Sequence, residues 1–434
     1  MTAAALLVLF LIIVGVPVAY AFGTGAFFGF LYLGDSVTQI PSVAYRTIDS
    51  FPLLAIPFFL LSGVVMQEGG VSRRLVSFVA QFTGRLRGGM GATLLGASAI
   101  FGAISGSSVA TVSAMGSIMT PEMVKRGYPR RYVGGLVSVA GLLGILIPPS
   151  IPMVVYGVAA NVSISDMFLA GLSAGLLLLV TMIAVNFLWA WRKDELNDSG
   201  AVLGAPSTEG TTRKRIGLGA LTRTGAAIPA LVMPVIILGG IYSGIFTPTE
   251  AGAAAVVYGF LVGLLVYREL RPSRVGAVLL NGILATTPIL LIIAMGGAFS
   301  RALTLSGVPV EITAYISDLD PPKWLLLIIL NLLLLGVGCF VEENTAIIIL
   351  APLLLPLTTA YGIDPVQFGV IMVLNLGIGL ATPPMAPNVF VASRACDVPF
   401  HLIIGTTLKF LLFAAVPVLI AVNVAPGFSL WLTR

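Results

Sequence analysis

Charge is scarce in this chain. Asp, Glu, Lys and Arg together supply 9% of its 434 residues, against roughly 25% in a typical soluble domain. Cysteine is rarer still. Only Cys339 and Cys396 occur, each beside an apolar segment, which argues against a disulfide framework or a thiolate metal cluster. The one histidine, His401, follows "SRACDVP" in a loop and is assigned no chemistry. No Ser/His/Asp arrangement, HExxH or phosphate-binding GxxxxGK[ST] is present. The chain is therefore not expected to be an enzyme, and energy for any work must come from an ion gradient or another subunit. The net charge of +5 belongs to loops, where membrane topology accounts for it, and does not indicate nucleic acid.

Apolar residues are what the sequence has in abundance, at 58% with a mean hydropathy of +1.05. Blocks of about 20 apolar residues, enough to cross a bilayer core, recur along the whole length, so the chain is an all-α polytopic membrane protein. The first block, Ala3 to Leu33, has no Lys or Arg before it and exceeds a signal-peptide core. It is expected to be a retained span, and "GVPVAYAFG" within it admits one tilted helix or two short ones. Basic residues gather at Arg73, Arg74, Arg85 and Arg87, in "VKRGYPRR" (124–131), "WRKDE" (191–195), "TRKR" (212–215) and "YRELRPSR" (267–274). The positive-inside rule makes these sites cytoplasmic. The polar stretch 194–224 becomes a cytoplasmic linker, and Trp189 and Trp191 beside it are a candidate interfacial anchor for a partner.

Between two of these basic loops lie only residues 90–124, too few for two full spans. A re-entrant hairpin fits, its tip at "SGSSVATVS", where serine and glycine disfavour continuous helix. Small residues serving close helix packing are the competing explanation. A shift of 235 residues then places Pro121 on Pro356, Gly127 on Gly362, Gly134 on Gly369, Gly144 on Gly379, Pro148 on Pro383, Pro149 on Pro384 and Pro152 on Pro387. The chain is thus expected to be two repeats. The first is 1–193, with a hairpin at about 90–124 and a broken helix at about 132–159. The second is 225–434, with a hairpin at about 323–362 and a broken helix at about 366–392. Acidic flanks around the second hairpin put it on the outer side, which makes the repeats inverted in topology, as in many secondary transporters.

Paired prolines in "IPPSIPM" and "TPPMAPN" remove backbone donors inside apolar helices and leave carbonyls unpaired. A hard cation such as Na⁺ would take those oxygens, and the half-helix N-termini from Ser150 and Met385 onward would suit an anion. A proline kink used only for packing is the alternative. Glu342 and Glu343 fall at the second hairpin tip, where either a direct role or a tip reaching water accounts for them. Glu250 in "TPTEAG" marks a short outer turn.

The "DSFPLLAIPFFLLSGVVM" span, the "GAISGSSVATVSAMG" hairpin, the "KRGYPRRYVGGL" loop and the two paired-proline breaks resemble the large membrane subunit of TRAP (tripartite ATP-independent periplasmic) transporters over nearly the whole chain. The resemblance implies Na⁺-driven uptake of a small organic anion, a carboxylate, across the bacterial inner membrane by an elevator mechanism. The implied partners are a small four-helix membrane subunit and a periplasmic substrate-binding protein, with the lipid bilayer as solvent. Carried over residue by residue, the first Na⁺ site takes Ser105, Ser108, Gly144, Ile147 and Pro149. The second takes Gly338, Gly379, Thr382 and Met385. Substrate is expected near Ser107, Ser150, Asn344, Thr345 and Asn388. A self-sufficient ion-coupled dicarboxylate carrier, working without a binding protein, is the rival reading.

Overall fold

The computed structural model describes residues 1–84, 86, 88–192 and 228–433, and among these every regular element is helical. Among the described residues six helices are long and apolar enough to cross a membrane: Phe51–Glu68, Ile164–Trp189, Pro248–Val266, Pro272–Leu305, Glu343–Ala360 and Phe400–Val424. A bent pair, Arg130–Leu146 with Ile151–Ala159, makes a seventh. The chain is an all-α, multi-pass membrane protein. The linker expected at 194–224 lies outside the described residues. At the N-terminus the sequence left two options, and two helices form, Thr2–Ile13 and Val18–Leu33. Gly15 at φ +91° and Pro17 separate them, the first by turning the chain and the second by withholding an N–H.

The first hairpin consists of Gly89–Ser105 and Ser108–Lys125. Its tip is narrower than the serine-rich composition suggested, because only Gly106 and Ser107 are non-helical. Gly106 ends the first arm in the left-handed conformation, φ +61°, which glycine adopts without a Cβ penalty. Ser107 opens the second arm as an N-cap, its Oγ accepting from Ala110 N–H. Serine at a cap satisfies a donor the helix cannot, so the following Ser108 is free to be helical. The second hairpin consists of Lys323–Gly338 and Glu343–Ala360. Here Glu342 is the cap, accepting from Thr345 N–H at 3.1 Å, from Thr345 Oγ at 3.2 Å and from the Asn344 amide.

After each hairpin comes a helix interrupted at its proline pair. Arg130–Leu146 gives way to Ile151–Ala159 with a bend of 44°, and Pro365–Leu380 gives way to Pro387–Cys396. The Pro148–Pro149 and Pro383–Pro384 bonds are both cis. The second break differs from expectation at its far end: the half-helix starts at Pro387, with Ala386 at φ +40° before it, not at Met385. The eight helix ends of the first hairpin and broken helix each have a counterpart in the second set within two residues of the 235-residue shift.

Arg130–Leu146 is buried from Tyr132 onward and Pro365–Leu380 from Gln367 onward, and these two helices pack against each other at the centre. The hairpins cross over around them. The second arm Ser108–Lys125 packs on the half-helix Pro387–Cys396, and the second arm Glu343–Ala360 packs on the half-helix Ile151–Ala159. Small residues permit the approach, as a Cβ on Gly116 would lie 2.7 Å from Ala395 Cβ. Thr120 Oγ donates to the buried Cys396 thiol at 3.2 Å across the same seam. On the periphery, Val275–Leu305 packs against Val18–Leu33, Gln39–Ile48 and Ala55–Glu68. It exposes Leu280, Ile283 and Leu284, as lipid-facing helices do. Trp189, the candidate anchor for a partner, is half-buried. Its ring packs on Tyr132 and Phe410, with the Lys409 ammonium 4.6 Å above it.

Candidate functional site

Each hairpin tip rests on the break of the helix that follows it. At the first break the backbones meet so closely that side chains have no place. A Cβ on Gly144 would lie 2.8 Å from Ser107 O, one on Gly106 would lie 2.7 Å from Pro149 O, and one on Gly102 would lie 2.7 Å from Gly144 Cα. Ile151 N–H donates to Gly106 O at 3.2 Å, tying tip to half-helix. Of the residues assigned to the first ion site, Ser105, Ser108, Gly144, Ile147 and Pro149 are all buried. Ser105 Oγ stands 3.4 Å from Thr111 Oγ, which donates to Ser107 O at 2.8 Å. The donor set is carbonyl and hydroxyl oxygen, the chemistry a hard cation prefers.

Gly338 and Gly379 meet in the same way at the second break. A Cβ on Gly379 would lie 2.6 Å from Gly338 Cα and 2.9 Å from Cys339 N. Thr382, in the break, donates its hydroxyl back to Ile378 O in the last turn of the preceding helix at 2.7 Å, so its hydrogen is committed while its oxygen lone pairs and its carbonyl remain. Met385 is 53% exposed, and any part it takes falls to its backbone oxygen, since a thioether is a soft ligand. Among the described residues no group of three His, Cys, Asp or Glu could hold a metal, so a transition-metal centre has no ligands there.

The residues expected near substrate divide into two sets. Ser150, fully buried, caps the half-helix that follows it, accepting from Met153 N–H. That half-helix packs on the arm that begins with Glu343, Asn344 and Thr345, all three of them buried. Part of the acidity of this tip has a structural use: Glu342 is the cap, and Glu343 follows it as the first residue of the helix. Asn388 is fully buried on the other half-helix, and its Nδ2 donates to Ser108 Oγ at 2.7 Å.

Two residues that contact the first hairpin near its tip escaped the sequence reading. Thr111 lies one turn beyond the tip, and its spacing of i+4 from Ser107 on a helix was the signal that could have found it. Ser62 donates to Phe59 O at 2.9 Å and to Ile104 O at 3.4 Å, bracing the end of the first arm from Ala55–Glu68. A Cβ on the adjacent Gly63 would lie 3.2 Å from Ser105 Cα, and nothing in the sequence pairs these distant segments.

The family model described as tripartite ATP-independent periplasmic transporter, DctM component, matches residues 5–428. The C4-dicarboxylate TRAP transporter large permease protein DctM of Pseudomonas aeruginosa is 41% identical over 407 residues, covering 94% of this chain and 92% of its own. The isethionate TRAP transporter permease protein DctMQ of Oleidesulfovibrio alaskensis is 39% identical over 387 residues, 89% of this chain and 59% of that longer relative. Among solved structures, the YdaH transporter of Alcanivorax borkumensis superposes with a TM-score of 0.61 over 92% of this chain and 89% of that one. At 18% identity this is a likeness of fold.

Proposed function

Because the chain belongs to the DctM family, the large permease component of tripartite ATP-independent periplasmic transporters, we propose that it carries a small organic anion across the bacterial inner membrane by Na⁺ symport. The observation that carries the coupling is the meeting of tip and break. At two places related by the same sequence shift, a hairpin end and a proline-interrupted helix come into backbone contact through glycine, and oxygen atoms are what the break leaves available. Ser105, Ser108, Gly144, Ile147 and Pro149 would hold one Na⁺, with Thr111 added to that set. Gly338, Gly379, Thr382 and Met385 would hold the other through backbone oxygens. Substrate would lie between the tips, near Ser107, Ser150, Asn344 and Thr345. The relatives named for a C4-dicarboxylate and for isethionate support a small acid as cargo, and the half-helix N-termini offer N–H groups for its charge.

The motion proposed is an elevator. Hairpins and broken helices interlock across the two halves, which favours their moving together against the peripheral helices. Inverted topology places the two hairpins on opposite faces. A small membrane subunit and a periplasmic binding protein complete the system. The test is uptake of the substrate of the cognate binding protein into proteoliposomes, with an inward Na⁺ or K⁺ gradient, with and without the two partners. Uptake is expected only with Na⁺ and only with both partners. Uptake by the chain alone would replace this reading with the self-sufficient carrier, and equal rates in K⁺ would remove the sodium sites.

A further inference from the structure

Ser108 and Asn388 lie 280 positions apart, one at the start of the second arm of the first hairpin and the other in the half-helix after the second break. Both are fully buried. Asn388 Nδ2 donates to Ser108 Oγ at 2.7 Å, and the central helix closes over the pair at Gly141, where a Cβ would lie 2.5 Å from Ser108 Oγ and 2.9 Å from Asn388 Nδ2. The other end of the amide is left without a partner: Asn388 Oδ1 is buried and makes no hydrogen bond. Leaving a buried acceptor unpaired costs about 1–3 kcal/mol, so packing alone gives no reason for an amide here.

The contact is also not a by-product of the repeat. Shifted by 235 residues, Ser108 corresponds to Glu343, and Asn388 to Met153. Methionine has no N–H or O–H to give. The tie therefore exists at one break only, and it falls on the tip that carries Ser105, Ser107 and Thr111.

We propose that Asn388 is a positioning residue of the first Na⁺ site, an inference that rests on the sodium reading above. A serine hydroxyl has two lone pairs. The Asn388 N–H occupies one and fixes the oxygen in place, which leaves the other for the ion. The second half of the chain thereby sets the Na⁺ affinity of the first, and Asn388 acts on the ion rather than on the organic substrate.

The test uses Asn388→Ala, Asn388→Leu, which nearly conserves volume, Ser108→Ala and the Asn388→Ala/Ser108→Ala pair, each in the assembled transporter. Two quantities are read: the rise in melting temperature on adding Na⁺ in place of K⁺, and the Na⁺ concentration for half-maximal uptake. Loss of one such hydrogen bond corresponds to roughly a fivefold change in affinity. Each Asn388 variant should raise half-saturating Na⁺ by about fivefold and shrink the Na⁺-dependent melting shift. Half-saturating substrate at high Na⁺ should move less than twofold. The double variant should be no worse than Ser108→Ala, because the two residues act through one contact. A shift in substrate half-saturation with Na⁺ dependence intact overturns the proposal, as does additivity in the pair. If Asn388→Ala does not assemble, the leucine variant and Ser108→Ala carry the same readings. A wild-type protein with neither Na⁺-dependent uptake nor a Na⁺-dependent melting shift would overturn the sodium reading itself, and this proposal with it.

Discussion

Gly379 has no room for a side chain. The atoms a Cβ would meet, Gly338 Cα and Cys339 N, are backbone, and backbone cannot rotate away as a side chain can. Gly379→Ala must therefore push tip and break apart, at a cost of about 1–3 kcal/mol. The expected result is at least a tenfold rise in half-saturating Na⁺, read by uptake in proteoliposomes with the partners present. Gly336, two residues before Gly338 on the same arm, has nothing within 4 Å of its would-be Cβ. Gly336→Ala should be neutral or stabilise the helix by up to about 1 kcal/mol. Equal damage from the two would show that the contact at Gly379 is not special. Both paired glycines, Gly144 and Gly379, were legible in the sequence because they repeat at one offset. Thr111 was not, since a hydroxyl's partner depends on which carbonyl the fold brings within reach.

Helix ends explain more here than helix interiors. The proline pairs could be read directly, because two adjacent prolines withhold successive N–H groups and both pairs interrupt their helices, whereas the single prolines Pro121, Pro288, Pro352 and Pro356 stand inside continuous ones. The width of the first tip could not. Serine is at home both as a cap and in the first helical turn, so a run of serines does not reveal which one caps. The acidic pair at the second tip was ambiguous for a similar reason, as its use is local: Glu342 accepts from Thr345 N–H in place of a missing helical carbonyl. Glu342→Ala should lower stability by about 1 kcal/mol, seen as a lower melting temperature in detergent by intrinsic fluorescence. Glu342→Asp, a stronger cap former, should hold it. If alanine leaves the melting temperature unchanged, the cap contributes nothing and the carboxylate must be kept for another purpose.

Across the whole molecule, the length of the apolar blocks identified which segments lie in the membrane but not against what they pack, since every candidate neighbour is equally apolar. The exchange of hairpin arms between halves is the result that could not be read. It has a direct test. A Cβ on Gly134 would lie 3.8 Å from Cys396 Cβ, the mean separation in a disulfide, with only the mobile end of Ile403 nearby. In a Cys339→Ala background, Gly134→Cys should form a disulfide with Cys396 under mild oxidant, measured as loss of both thiols to maleimide–polyethylene glycol. The bond joins the first broken helix to the second half-helix. If both belong to one moving body, oxidised protein keeps most of its uptake. Uptake abolished by oxidation and restored by reductant would mean that the two halves must part during transport.

The crossing of the arms also has a consequence for how the protein is made. Ser108 leaves the ribosome 280 residues ahead of the amide that will bind it, an interval of roughly 14–56 s at ordinary rates of synthesis. Throughout that time the tip can rest on the break of its own half, but the Ser108 hydroxyl and the seam at Gly116 lack the partners that the second half supplies. A nascent chain stopped before residue 388 thus lacks the amide that binds Ser108 and the Ala395 contact that covers Gly116. Separately expressed halves should survive only when they are synthesised together and can find each other in the membrane.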